Sequence, residues 1–138
     1  DNPTLYDNID EVTANGDSDY IQGTPDAIDP DIIRTAEISL SDVTGTGSNP
    51  VLRYSFRRSA TLGGILLFRV RLMQGATEIA LFSQSVSSIT YSTTTQTLTP
   101  AQTALITNYN DLRVEVGASG TATFRQVYVT WVELEVPP

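Results

Sequence analysis

The feature that most constrains this chain is a two-residue hydrophobic rhythm that begins near residue 33 and runs almost to the C-terminus. Ala36, Ile38 and Leu40 alternate with polar residues. Leu52, Tyr54 and Phe56 share one side of the next run, with Arg53, Ser55 and Arg57 on the other. Leu66, Phe68, Val70 and Leu72 alternate with Arg69 and Arg71, and Leu112, Val114 and Val116 alternate with Arg113 and Glu115. Side chains on a strand point to opposite faces in turn, so each run predicts a half-buried strand.

Gly-, Pro-, Asn- and Ser-rich segments separate these runs. Residues 44–50 (Thr-Gly-Thr-Gly-Ser-Asn-Pro) predict a loop, Leu62-Gly63-Gly64 a turn or bulge, and Gln74-Gly75-Ala76 a hairpin turn leading into 77–82. Residues 83–97 are dominated by Ser and Thr and predict one or two exposed strands. Thr99 is a good helix N-cap, Pro100 suits the first helical position, and Gln102 can close a capping box. Ala101, Ala104, Leu105 and Tyr109 give that short helix an apolar face, with Asn108 or Asn110 at its end.

The last segment, 121–136, reads as apolar on both faces. Val127, Val129 and Trp131 fall on one side, and Tyr128, Val132, Leu134 and Val136 on the other. Such a strand belongs in the middle of a sandwich or against a neighbouring subunit. Seven or more short strands with one helix in a crossing connection predict an all-β, antiparallel β-sandwich of jelly-roll type. An immunoglobulin-like sandwich without the Cys pair is the alternative.

The 138 residues suit one such core. Charge divides the chain. Residues 1–31 hold nine acids and no basic residue, whereas 32–138 hold seven acids and eight Arg. The expected organisation is an extended acidic N-terminal arm over 1–31, with a short strand near residues 19–22, and a nearly neutral sandwich over 32–138. The sign argues against a nucleic-acid partner. No run nears the roughly 20 apolar residues of a membrane span.

The composition also bounds the chemistry. The chain has no His, no Cys and no Lys. A Ser-His-Asp triad, a thiolate nucleophile and a phosphate loop with its Lys are therefore excluded. Carboxylates are the remaining route to an enzyme. Asp10-Glu11 and the Glu133/Glu135 pair are the candidates, the latter on one side of a strand about 7 Å apart. That spacing is common on solvated strand faces, and no catalytic residue is assigned. Asn15-Gly16-Asp17-Ser18-Asp19 gathers oxygen ligands of the kind calcium takes, with Asp17 and Asp19 the candidate ligands. The same residues are ordinary turn formers, and the EF-hand pattern is not met. No cofactor is expected.

Two sets of residues suggest contact surfaces. Tyr91, Tyr109, Tyr128 and Trp131 are available for stacking on sugars, although a Trp in an apolar strand more often serves a core or interface. Arg53, Arg57, Arg58, Arg69 and Arg71 are expected on the polar faces of two neighbouring strands. Arg makes planar bidentate pairs and suits interfaces. The acidic arm of the same or another subunit has the matching sign. The expected interface set is Arg53, Arg57, Arg69, Arg71, Val127, Val129 and Trp131.

An ordered set of segments resembles small phage and prophage virion structural proteins. The segments are Ile9-Asp10-Glu11, then Asp17-Ser18-Asp19-Tyr20-Ile21, then 98–102 (Leu-Thr-Pro-Ala-Gln) running into 106–112 (Ile-Thr-Asn-Tyr-Asn-Asp-Leu). The last is 129–137, Val-Thr-Trp-Val-Glu-Leu-Glu-Val-Pro. The resemblance implies a non-enzymatic capsid decoration (cement) protein on the virion surface. It also implies a major capsid protein as partner and self-assembly as a homotrimer. A tail or fibre module binding a host-surface glycan is the alternative, and a glycan-active enzyme comes third.

Overall fold

The computed structural model describes the backbone of residues 21–23 and 36–39, and residues 49–60, 64–121 and 126–137 in full. Eight strands are present among them: β1 (Ile21–Gly23), β2 (Ala36–Ser39), β3 (Val51–Arg58), β4 (Leu66–Gln74), β5 (Thr77–Ser85), β6 (Ser92–Thr97), β7 (Leu112–Gly120) and β8 (Val127–Glu135). A one-turn helix, α1 (Pro100–Thr103), joins β6 to β7. The first sheet has the order β1-β8-β3-β6 and the second β2-β7-β4-β5. All neighbours are antiparallel.

The order has a simple origin. β4 pairs with β5, β3 with β6, β2 with β7 and β1 with β8. These are nested rungs of one long hairpin whose closing turn lies at Gly75 and Ala76. Rolling that ribbon on itself creates the two remaining pairings, β3 with β8 and β4 with β7. The result is an eight-stranded jelly roll. β1 falls inside the stretch expected to be an arm, and its backbone is paired into the first sheet. The calcium candidates Asp17 and Asp19 lie outside the described residues, as do Asp10 and Glu11.

The alternating residues build the core. Leu52, Tyr54 and Phe56 of β3 meet Phe68, Val70 and Leu72 of β4, and Val114 and Val116 of β7 join them. Phe68 is the junction: its ring stacks on Phe56 at 4.9 Å and meets Tyr54 edge-on at 5.5 Å. Each large apolar side chain buried in this way contributes about 1.5–3 kcal/mol. Gly75 takes the left-handed conformation that the two-residue β4–β5 turn needs (φ 53°).

The capping box forms as the sequence predicts. Thr99 Oγ1 accepts from the Gln102 amide at 3.3 Å, and Gln102 Oε1 accepts from the Thr99 amide at 2.8 Å. The helix is shorter than expected, and its reason is a long-range hold. Gln74 Oε1 accepts from the amides of Thr107 and Asn108 at 2.9 and 3.0 Å, drawing the chain away from the helical path. Asn108 instead caps a 3-10 turn at Tyr109–Asp111.

β8 differs from its sequence reading at one residue. Phe56 pairs with Val129 but Ser55 pairs with Trp131, so the register steps over Thr130 in a bulge. The extra residue inverts the alternation. Val127 and Val129 face the core before the bulge, and Val132 and Leu134 pack against it afterwards. Trp131 therefore shares the outer face with Tyr128 rather than the inner face with Val129. The strand that reads as apolar on both sides is an ordinary one-sided strand with a register shift.

A second difference concerns the arginines. β3 and β4 lie in different sheets and do not pair as a hairpin. Arg53 and Arg57 lie on the outer face of the first sheet, and Arg69 and Arg71 on the outer face of the second. They do not form one arginine-bearing surface.

Candidate outer-face binding surface

The first sheet presents an ordered outer face, and its rows follow from the β6-β3-β8 register. One row reads Arg57 and Tyr128, with Tyr91, the residue before β6, on the other side of Arg57. The next reads Thr93, Ser55, Trp131, and the third Thr95, Arg53, Glu133. Thr97, Val51 and Glu135 complete the face.

The first row is a stack. The Arg57 guanidinium lies 5.0 Å from the Tyr91 ring centroid and 4.4 Å from that of Tyr128. Ring faces carry negative charge density, so the cation holds both phenols in fixed positions. Arg57 Nη1 also donates to the Arg58 carbonyl at 3.3 Å, and the Tyr128 hydroxyl donates to Gln126 Oε1 at 3.1 Å. In the middle row Ser55 is small and buried, with half-buried Trp131 beside it. The third row is charged but paired: Arg53 Nη1 lies 2.5 Å from Glu135 and 3.7 Å from Glu133. The two carboxylates of the expected pair thus share one cation. Neither is set against the other across a cleft, the arrangement glycoside cleavage requires.

The outer face of the second sheet is built around Glu115 of β7. Its carboxylate is buried and lies 2.6 Å from Arg71 and 3.0 Å from Arg113. Arg71 also reaches Glu78 at 4.0 Å, and Arg113 donates to the Gly75 carbonyl at the hairpin turn. This cluster binds β4, β5 and β7 together. Arg71 is committed to it and serves the fold. Arg69 lies on the same face, half-buried.

The expected interface residues therefore separate into three groups. Arg53, Arg57 and Trp131 come together on the first outer face. Arg69 and Arg71 lie on the opposite side of the sandwich. Val127 and Val129, at 1% and 2% exposure, belong to the chain's own core. Tyr109 packs partly against that core, apart from the aromatic row.

Arg58 is the residue whose role the sequence conceals. It continues the inward series of Leu52, Tyr54 and Phe56 and is buried. Its Nη1 donates to the Val86 carbonyl at 3.2 Å, while Nε and Nη2 meet no acceptor among the described residues. Only its position as the second of two consecutive arginines, in phase with the apolar residues, marks it as inward.

Among the described residues, no group of three or more Asp or Glu side chains is placed to hold a metal ion. Among them, too, no helix is long and apolar enough to cross a membrane.

No family model and no curated protein matches the sequence. Solved structures do share the fold. One described as "CBM4 structure and function" superposes with a TM-score of 0.54 at 11% identity, covering 88% of this chain and 91% of that one. Another, "Family 16 Carbohydrate Binding Module-2", has a TM-score of 0.45 at 12% identity, covering 88% of this chain and 79% of that one. At such low identity, the first likeness concerns the sandwich architecture alone.

Proposed function

We propose that this chain is a non-catalytic virion structural module, a capsid decoration protein that holds a neighbouring subunit against the outer face of its β1-β8-β3-β6 sheet. The observation that carries this reading is the pre-paired state of that face. Arg53 holds Glu133 and Glu135, and Arg57 holds Tyr91 and Tyr128. Side chains fixed before contact lose little freedom on binding, which favours tight association over a broad flat surface. The carboxylates there are tied to one cation, which suits the face to contact. The segment resemblance to phage virion proteins supports the same reading, with a major capsid protein as partner.

The test is the position of the protein in an intact particle. Density on the outer surface of the shell is expected; density confined to the tail tip overturns the assignment. Arg53→Ala and Tyr128→Ala should each weaken rebinding of the purified chain to stripped shells. Unchanged rebinding by both variants places the contact elsewhere.

A second reading, a module that binds a host-surface glycan, is favoured by the aromatic row. Tyr91, Tyr128 and Trp131 surround the small Ser55, and Thr93 and Thr95 supply hydroxyls alongside. Sugars stack on rings in such settings, and the solved structure with the better superposition is described as a CBM4. Retardation in gels containing soluble polysaccharide, abolished by Trp131→Ala, would establish this reading over the first.

A further inference from the structure

Residues 79–110 contain no Asp, Glu, Lys or Arg, 32 residues in a chain of net charge −8. The fold gathers this segment on one flank. It supplies nearly all of β5, the edge strand of the second sheet, and all of β6, the edge strand of the first. The two edges lie over each other, and Gln84 of β5 donates to Thr94 Oγ1 of β6 at 3.2 Å. Three of the exposed large aliphatic side chains (Leu81, Ile89 and Leu105) belong to the same segment.

β6 lacks the usual protection of an edge. Sheet edges are ordinarily blunted by charge, proline or a bulge, because a row of free backbone groups recruits any strand that approaches. β5 carries a bulge near Ile79. β6 is Ser-Thr-Thr-Thr-Gln-Thr, runs six residues in unbroken register with β3, and pairs with β3 alone among the described residues.

We infer that the free edge of β6 pairs with β6 of a second copy about a two-fold axis, joining the two first sheets into one continuous eight-stranded sheet. Two arguments select a second copy. The first is charge. Copies carrying −8 each repel, and the uncharged flank is where two can approach at least electrostatic cost. The second is self-complementarity. Antiparallel pairing that keeps Thr93, Thr95 and Thr97 on one face must be centred on a residue, either Thr94 or Thr95. Both registers set Thr93 and Thr95 opposite threonines of the other copy, a favourable cross-strand match. The two-fold also brings both outer faces to the same side, so the Tyr91-Arg57-Tyr128 rows of the two copies form one extended surface. This assembly is a dimer in place of the threefold that the virion resemblance implies. It stands whether that surface meets a shell or a glycan.

Native mass spectrometry and sedimentation of the full chain test it. At tens of micromolar, the expected mass is twice the 15.0 kDa of one chain. Thr93→Lys/Thr95→Lys changes two exposed side chains, which leaves the fold intact by circular dichroism while weakening the dimer at least tenfold. The chain has no Cys. In the Thr95-centred register Thr95→Cys should therefore form a disulfide-linked dimer under mild oxidation, in the Thr94-centred one the Thr93→Cys/Thr95→Cys double variant should do so, and Ala104→Cys, away from the edge, should form one in neither. A one-chain mass, a three-chain mass, or a dimer untouched by the lysine substitutions overturns the inference. A one-chain mass with β6 protected from exchange only when a foreign peptide is added would identify the edge as a site for another protein.

Discussion

The guanidinium of Arg57 sits 4.4 Å above the ring of Tyr128, a contact between two strands that are neighbours only because β3 and β8 come together from distant parts of the chain. Replacing Arg57 with Lys keeps the charge but removes the planar group that covers both rings. The expected loss is about 0.5–1 kcal/mol of stability, read as a lower urea midpoint. Arg57→Ala should lose about as much and should also weaken whatever contact the outer face makes. A variant as stable as the parent would show that the stack contributes no net energy.

Glu115 is buried between Arg71 and Arg113, and its replacement by Gln should be far more disruptive. Removing one member of a buried ionic group leaves its partners uncompensated, at roughly 3–5 kcal/mol. Both arginines are partly exposed, so the lower end of that range is expected here. Glu78→Gln is the control: Glu78 is exposed and 4.0 Å from Arg71, and its loss should change stability by less than about 0.5 kcal/mol. Equal effects of the two variants would contradict the central role of Glu115.

Gly120 has φ of 124°, and a Cβ there would lie 2.3 Å from the Ile65 carbonyl oxygen. Gly120→Ala therefore combines a backbone conformation closed to L-residues with a clash against main chain. A loss well above about 2 kcal/mol is expected in thermal or urea unfolding. At Gly75 the nearest atom to an added Cβ is Asp111 Oδ2 at 3.6 Å, so Gly75→Ala meets only the φ strain, about 1–2 kcal/mol.

Burial pushes the Tyr54 phenol above its ordinary value near 10. Gln96 opposes the shift in part, although it makes no hydrogen bond of normal geometry to the hydroxyl. The unfolded chain then releases this proton at lower pH than the folded one. The contribution is fully present below pH 10 and is lost as pH rises from about 10 through the folded value. Tyr54→Phe removes this alkaline loss and, at neutral pH, is neutral or stabilising, since the buried hydroxyl meets no partner of normal geometry among the described residues. The difference between the two unfolding free energies, followed from pH 7 to 11, checks both statements.

The elements whose physics is local were legible in the sequence. The alternation in β3, β4 and β7, the Gly75 turn and the Thr99–Gln102 box each depend on residues close together in the chain. Three features were not legible, and each depends on a distant partner. The Thr130 bulge is defined by what β3 offers opposite it, and a single skipped residue reversed the faces of Trp131, Val132 and Leu134. The separation of Arg53 and Arg57 from Arg69 and Arg71 follows from β3 and β4 belonging to different sheets, which the sequence Leu62-Gly63-Gly64 does not distinguish from a hairpin. The early end of α1 goes with the hold of Gln74 on Thr107 and Asn108, 33 and 34 residues along the chain from it. For the outer face, the sequence supplied its aromatic and arginine residues but not the grouping of Tyr91, Arg57 and Tyr128 in one row.

The nested pairing has a consequence for the birth of the molecule. β8 occupies an interior place in the first sheet, between β1 and β3, yet among the described strands it is the last to be synthesised. Until it arrives, β1 has no partner and β3 has an open side. The β4–β5 hairpin can form early, whereas the outer rungs must wait, with the apolar faces of β3 and β4 waiting beside them. Long-range pairing of this kind slows folding and leaves hydrophobic edges exposed during synthesis. Acquisition of the fold should therefore wait until β8 has emerged, and a nascent chain arrested before Val127 should depend on chaperones to remain unaggregated.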